Sequence, residues 1–387
     1  RYQKNFKNYF VPELVRHTPH EKKFCMIADF LLEQHDKYSL LCFEALVKKH
    51  QKPEGMESGL YERTIKARAF DVARYWLFNG IMTSVGQVTS ARTLEDQICR
   101  MMASEYLDVV SAANAMKQAC QDKPFCPEGK EEPPVAPTLV KYTSPNGYIV
   151  RIRELMKKVL KDLENCMYHG AYNNYTRHAR LVNPFPSIQH EIVAGLIYEA
   201  TNMTMHDIQS FINRKQGTEI NWIVSEVLAL RDKYDSLPRA FAAGYQIQFD
   251  VCMDIGGRRD LHRHRNCIQL HQRFTVDRGF DVPDLVKEIG MYDHYIKNMA
   301  EVGRMIKEFK VLNCGDYLLP FAYRAGTLYK MDYRQAEYMT VLRSTPQGHF
   351  SYRQIACEMD RQLRNLVPGL DEFSRITPFE NEDIFRR

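Results

Sequence analysis

The sequence predicts a helix-rich α+β fold divided into two parts. Three observations predict it. Apolar residues recur at three- and four-residue steps along most of the chain, one segment alternates apolar with polar residues, and one proline-rich break separates two periodic regions. A length of 387 residues favours two domains over one. With 44% hydrophobic and 26% charged residues the composition is that of an ordinary globular chain. No run of eighteen apolar residues occurs, so no membrane span is expected.

From the N-terminus, helical patterning covers 21–50 and 63–78 and resumes after Ser90, a good N-cap residue. Residues 124–147 hold six prolines and two glycines without periodicity, which reads as an extended linker. It separates a first part, 1–123, from a second part, 148–387. In the second part Ile149, Ile152, Leu155, Met156, Val159, Leu160 and Leu163 lie on one helical face. Further helices are expected over 190–199, 205–214 and 221–234. The stretch 245–253 alternates and is expected to be a strand leading into Gly256-Gly257. Residues 321–342 are expected to form a loop and then a helix starting near Asp332, another capping residue.

A net charge of +5 suits an anionic ligand but does not identify one. Lys and Arg are spread along the chain rather than gathered in one stripe, so no specific nucleic acid is expected as a partner. The ten cysteines are scattered without a CxxC pair, which reads as reduced thiols in the cytoplasm or an organelle matrix. The start at Arg1, without Met, suggests that upstream residues are missing.

The main basic cluster runs from Arg258 to Arg273 and contains Arg263-His264-Arg265. Arginine forks in a row beside a strand make an anion site, and chemistry alone leaves a solvated basic face as the rival. Cys252, His262, His264, Cys267 and His271 have metal-like spacing, but the interleaved arginines repel a cation and no metal is expected.

Arg263-His264-Arg265 followed by Arg273-Phe274 resembles the RHR…S-x-R-Y signature of flavin-dependent thymidylate synthases. A second signature of that family, A-R-x-x-L-P with N-x-R-S-L twelve residues on, resembles Leu319-Pro320 followed by Asp332-Tyr333-Arg334. Arg343 then falls where the family has a nucleotide-contacting arginine. The same block occurs earlier: Ala73-Arg74-Tyr75-Trp76-Leu77-Phe78 and then Ser90-Ala91-Arg92-Thr93-Leu94, at the same spacing. Arg1-Tyr2 resembles the end of the first signature.

The resemblance therefore implies two copies of one fold, the first incomplete, each a mixed or antiparallel sheet with flanking helices. It implies methylation of dUMP to dTMP with FAD, NADPH and methylenetetrahydrofolate. Arg263, His264, Arg265, Arg334 and Arg92 are implied as flavin contacts. Arg1, Arg74, Arg343 and Arg273 are implied as nucleotide contacts, with Arg343 as the catalytic residue. Family members are tetramers with shared sites, so a homodimer forming a pseudo-tetramer is expected. The departures are Asp260 for a glutamine, Asp316 for the arginine of A-R-x-x-L-P, and Met101 where the first copy lacks the equivalent of Arg343. Because each copy keeps arginines that the other has lost, one class of site is expected to work and the other to have decayed. Two alternatives follow from the same losses: an inactive structural or interaction subunit of a larger assembly, or a methylase of another pyrimidine nucleotide.

Overall fold

The computed structural model describes residues 8–124, 126, 128–134, 136–164, 176–309, 314–366, 374–380 and 384–385. The first part is helical: α1 (Pro19–Lys49), α2 (Ser58–Ala73), α3 (Ala91–Met102) and α4 (Leu107–Gln121). The second opens with α5 (Gly147–Glu164) and continues as β1 (His178–Leu181), α6 (Ile188–Ala200), α7 (Met205–Ile212) and α8 (Gly217–Ala229). Then come β2 (Ile247–Asp254), α9 (Ile255–Leu261), β3 (Ile268–His271), α10 (Asp284–Glu288) and α11 (Tyr292–Lys307). The chain closes with β4 (Arg324–Met331), α12 (Tyr333–Ser344) and α13 (Phe350–Leu366). The α+β class holds, with one antiparallel sheet of order β1-β2-β4-β3 among the described residues.

The sheet lies between two helical layers. Leu270 and Leu328 pack with α5 to α8, while Phe249, Val251, Met253 and Tyr329 pack with Met339, Ile355 and Met359. Every residue of β2 is therefore buried, including the polar positions of its alternation. Asp250 is satisfied there, accepting from the Tyr198 hydroxyl at 2.7 Å and from the Met205 N–H at 2.7 Å. The same double burial hides β4 in the sequence. Residues 324–331 are a strand and not the expected loop, because a strand covered on both faces shows no period of two. Lys330 within it is fully buried against Glu191, Nζ to Oε1 2.8 Å. The expected helix over 221–234 stops at Ala229, and the chain turns with Arg231 Nε donating to the Asp235 carbonyl.

Caps set the helix starts as the sequence implied. Ser90 accepts from the Thr93 N–H and Asp332 from the Gln335 N–H. The proline-rich stretch is irregular, yet Ala136 and Val140 pack with Ile98, Ala113 and Cys120. Asp254 ends β2 and caps α9 by accepting from the Gly257 N–H at 2.6 Å. Gly256 and Gly257 thus lie in the first turn of a helix. A side chain at Gly257 would meet Ser351 Oγ at 2.3 Å, so α9 can approach α13 only with glycine there.

Both parts share a core. Phe24, Tyr38, Trp76, Tyr295, Met299, Phe309 and Tyr323 belong to one buried cluster, and the Trp76 ring lies 5.0 Å from that of Tyr295. The two parts meet at Phe78 and Pro320, which form an antiparallel bridge. The hydrogen bonds around this bridge are reciprocal. Phe321 N–H donates to the Leu77 carbonyl and Asn79 N–H to that of Leu319. Ala322 N–H donates to the Tyr75 carbonyl and Gly80 N–H to that of Tyr317. The register shift that carries Phe78 onto Pro320 also carries α3 onto α12, end to end, and Ser90 onto Asp332.

Candidate active site

The C-terminal end of α2 and the short 3-10 turn Arg74–Trp76 form one wall of a cleft. The start of α9, the C-terminal end of α12 and the loop after it form the other. Arg68 ties that loop to α2: Nη2 donates to the Pro346 carbonyl at 2.8 Å and Nη1 to that of Gly348 at 3.2 Å. His349 adds a second tie, its Nε2 donating to the Asp71 carbonyl at 2.9 Å. Burial first, and then Arg74, hold His349 far below the usual histidine range, so it is neutral there.

The cleft measures about 630 Å³ and is lined by Arg74, Arg259, Arg263 and Arg343, with Asp71 and Asp260. Four guanidinium groups against two carboxylates leave it electropositive. Arg74 has a largely buried side chain 3.9 Å from Asp71. Burial opposes its charge, but Asp71, Asp254 and Asp260 keep its pKa above the ordinary arginine value. Its Nε and Nη2 are buried without a hydrogen-bond partner among the described residues. Buried guanidinium nitrogens left open beside a cleft fit an anionic ligand.

Arg343 approaches from the opposite wall. Its Nε donates to His264 Nε2 at 2.8 Å and its guanidinium lies 5.6 Å over the Tyr352 ring. Arg263 is exposed at the rim, 3.7 Å from Asp260. Arg259 lies 4.9 Å over the Phe321 ring, and burial followed by Arg74 lowers its pKa.

The structure thus brings Arg74, Arg263 and Arg343 together and leaves other expected residues elsewhere. Arg1 lies outside the described residues. His264 is buried, while Arg265 and Arg92 are exposed, Arg92 on α3. Arg334 lines a separate cleft with Glu337, Arg364 and Arg375. Arg273 lines yet another, of about 330 Å³, with Asp316. There Tyr106 donates to Asp316, the Arg273 guanidinium lies 5.8 Å over Tyr106, and its Nη1 is 3.7 Å from Glu105. Burial raises the Asp316 pKa. The shift that carries Phe78 onto Pro320 carries Arg74 onto Asp316, which lines this cleft.

Sequence reasoning did not single out Arg259, Asp71, Tyr352 or His349. Arg259 stood inside the basic cluster; His349 carried no local signal, because its partner Asp71 lies far away in sequence. The histidines near Cys267 have other duties. Arg258 Nη2 sits 2.7 Å from His271 Nδ1, and His264 Nε2 is taken by Arg343, so cations occupy the positions a metal would need.

Residues 240–369 match the family model described as thymidylate synthase complementing protein. That segment is similar to this family's domain. It runs from just before β2 to the end of α13 and carries Asp260, Arg263, His264 and Arg343. Arg74, across the cleft, lies outside the matched segment. Relatives extend over both parts. A UPF0159 protein of Chlamydia pneumoniae is 22% identical, covering 98% of this chain and 70% of its own length. One of Chlamydia muridarum is 21% identical with the same coverage. One of Thermoplasma acidophilum is 25% identical over 80% of this chain and 60% of its own length.

Proposed function

We propose that the Arg74–Arg343 cleft binds dUMP and that the chain is a flavin-dependent thymidylate synthase-like protein, methylating dUMP to dTMP with FAD, NADPH and methylenetetrahydrofolate. The carrying observation is the convergence of Arg74 from the first part and Arg343 from the second on one electropositive cleft, with Arg74 Nε and Nη2 left open. The family match over 240–369 supports the same reading. So do the reciprocal hydrogen bonds around Phe78 and Pro320, which we take as the mark of a tandem pair with a 1–123 copy, a 124–147 linker and a 148–387 copy.

On this reading Arg74 and Arg343 hold the nucleotide from opposite walls; Arg1, the other nucleotide contact that the resemblance implies, lies outside the described residues. Arg343 also stabilises negative charge developing on the pyrimidine ring, since its Nη groups have no protein acceptor among the described residues. Flavin, when bound, relays reducing equivalents and the one-carbon unit. Arg263 at the rim and the exposed Arg265 are its contacts within one chain. Arg92 and Arg334 are exposed away from this cleft, so a homodimer that brings them from a second chain completes the flavin site. Arg273 belongs to the Asp316 cleft, on the tandem reading the counterpart of this one, where Asp316 and Glu105 neutralise it and repel a phosphate. Only one of the two cleft classes is functional.

A second reading has one observation behind it. Asp260 puts a carboxylate into the cleft, and a carboxylate accepts from an amino-bearing base edge, which cytosine has and uracil lacks. Flavin absorbance of the purified protein, quantified per chain, tests the main proposal. One FAD per chain, reoxidised on adding dUMP and methylenetetrahydrofolate after reduction, is the expected result. Two per chain or none contradicts it, and a preference for dCMP over dUMP favours the second reading.

A further inference from the structure

We propose that His264 is a positioning residue for Arg343, holding its guanidinium by the Nε edge so that both Nη groups face the nucleotide. This rests on the cleft being a nucleotide site, and it gives His264 a different duty from the flavin contact that the family resemblance implies.

The geometry is specific. Arg343 sits next to the last residue of α12, Ser344, where the backbone gives little restraint. Three contacts are available to an arginine: Nε, the two Nη groups and the flat face. The Nε donates to His264 Nε2 at 2.8 Å and the face covers Tyr352 at 5.6 Å. The Nη groups have no acceptor among the described residues, and they are the pair that binds an anionic oxygen fork. A guanidinium clamped in this way loses little rotamer freedom when the ligand arrives, which is where preorganisation raises affinity.

His264 is itself over-determined. It lies between α9 and β3, its N–H donating to the Leu261 carbonyl at 3.1 Å. Its carbonyl accepts from Gln269 Nε2 at 2.6 Å and from Cys267 Sγ at 3.1 Å. The ring is edge-on to Tyr338 at 5.9 Å, and its Nδ1 is 3.3 Å from Gln335 Nε2. An Nδ1–H beside Arg343 requires that amide to turn its Oε1 to the ring as acceptor, the two ends of the amide being interchangeable in shape. The groups facing it are thus Arg343, Gln335 and Tyr338 from α12 with Cys267 and Gln269 from the β3 side. Only an unprotonated Nε2 can accept from an arginine, so the ring must be the neutral Nδ1–H tautomer. Burial and then the Arg343 charge push its pKa down to about 4, which keeps that tautomer populated at neutral pH. With its Nε2 lone pair committed, His264 has no acceptor left for a flavin.

Two measurements on the full chain test this. Imidazole nitrogen shifts of the free protein, labelled at histidine, are expected to report the Nδ1–H tautomer for His264 at pH 7; an Nε2–H or doubly protonated ring overturns the proposal. Calorimetric titration with dUMP then compares His264→Gln, which keeps an acceptor, with His264→Leu, which removes it. The Gln variant is expected to bind nearly as tightly as wild type, and the Leu variant about tenfold more weakly. In Arg343→Ala the further change His264→Leu is expected to cost nothing more, because its effect passes through Arg343. Equal losses for Gln and Leu, or an added loss in the double variant, overturn the proposal. Wild-type protein that fails to bind dUMP sinks the nucleotide site alone, since the tautomer is read without ligand.

Discussion

At the scale of single residues, the site is a problem in placing charge. Arg74 is held near Asp71, and Arg343 is held by His264 and the Tyr352 ring, and each keeps guanidinium nitrogens without an acceptor among the described residues. Neutral His264 makes this possible at Arg343, and His264, His271 and His349 are all pushed down by burial, His264 to about 4 and His271 to about 3. Each binds a proton more readily in the unfolded chain than in the folded one. The stability they carry is therefore complete above the ordinary histidine pKa and is lost as pH falls from about 6.5 towards 4, at about 1.4 kcal/mol per pH unit for each group in its window. Glu199, raised to about 7 by burial, and Asp254 and Asp316, also raised by burial, act in the opposite sense, but among the described residues six histidines lowered by burial outnumber these three. Urea midpoints at pH 7 and pH 5 are expected to be clearly lower at pH 5, and His264→Gln should flatten part of that slope. Arg74, Arg263 and Arg343 were picked out in the sequence by the family resemblance, and all three line one cleft. Arg259 and His349 were not picked out, because what defines them is contact with Phe321 and Asp71, which chain order does not display.

At the scale of elements, the legible features were those governed by local rules. The caps Ser90 and Asp332 and the apolar face of α5 need no knowledge of tertiary structure. What escaped was the sheet around β2. β4 has both faces covered, and β1 and β3 are only four residues long, too short to establish a period. α9 was hidden for another reason: its two glycines look like a turn but serve a close helix contact. Gly257→Ala puts a methyl 2.3 Å from Ser351 Oγ and 2.8 Å from Met253 Cε. The variant is expected to lose about 1–3 kcal/mol in urea unfolding. It should also weaken dUMP binding, since α9 carries Arg259 and Asp260 into the cleft.

For the molecule as a whole, the linker marks a break in sequence without a break in the core. Trp76 and Phe24 from the first part pack with Tyr295, Met299 and Phe309 from the second, and Lys23 and Lys49 pair with Glu308 and Glu288 across the same contact. Unfolding is therefore expected as one transition seen alike by tryptophan fluorescence and far-ultraviolet circular dichroism. Trp76→Ala should lower stability by about 3–5 kcal/mol without separating the two signals. The shared core also explains how two arginines far apart in sequence come to face each other. The bridge at Phe78 and Pro320 lies between their parts, and each flank of it builds one wall. Calorimetric titration of dUMP into wild type, Arg74→Ala and Arg343→Ala tests that convergence most directly. One dUMP per chain, with either substitution weakening binding by about 2–5 kcal/mol, is the predicted result. Binding that survives Arg74→Ala unchanged, or two equal sites per chain, would contradict it.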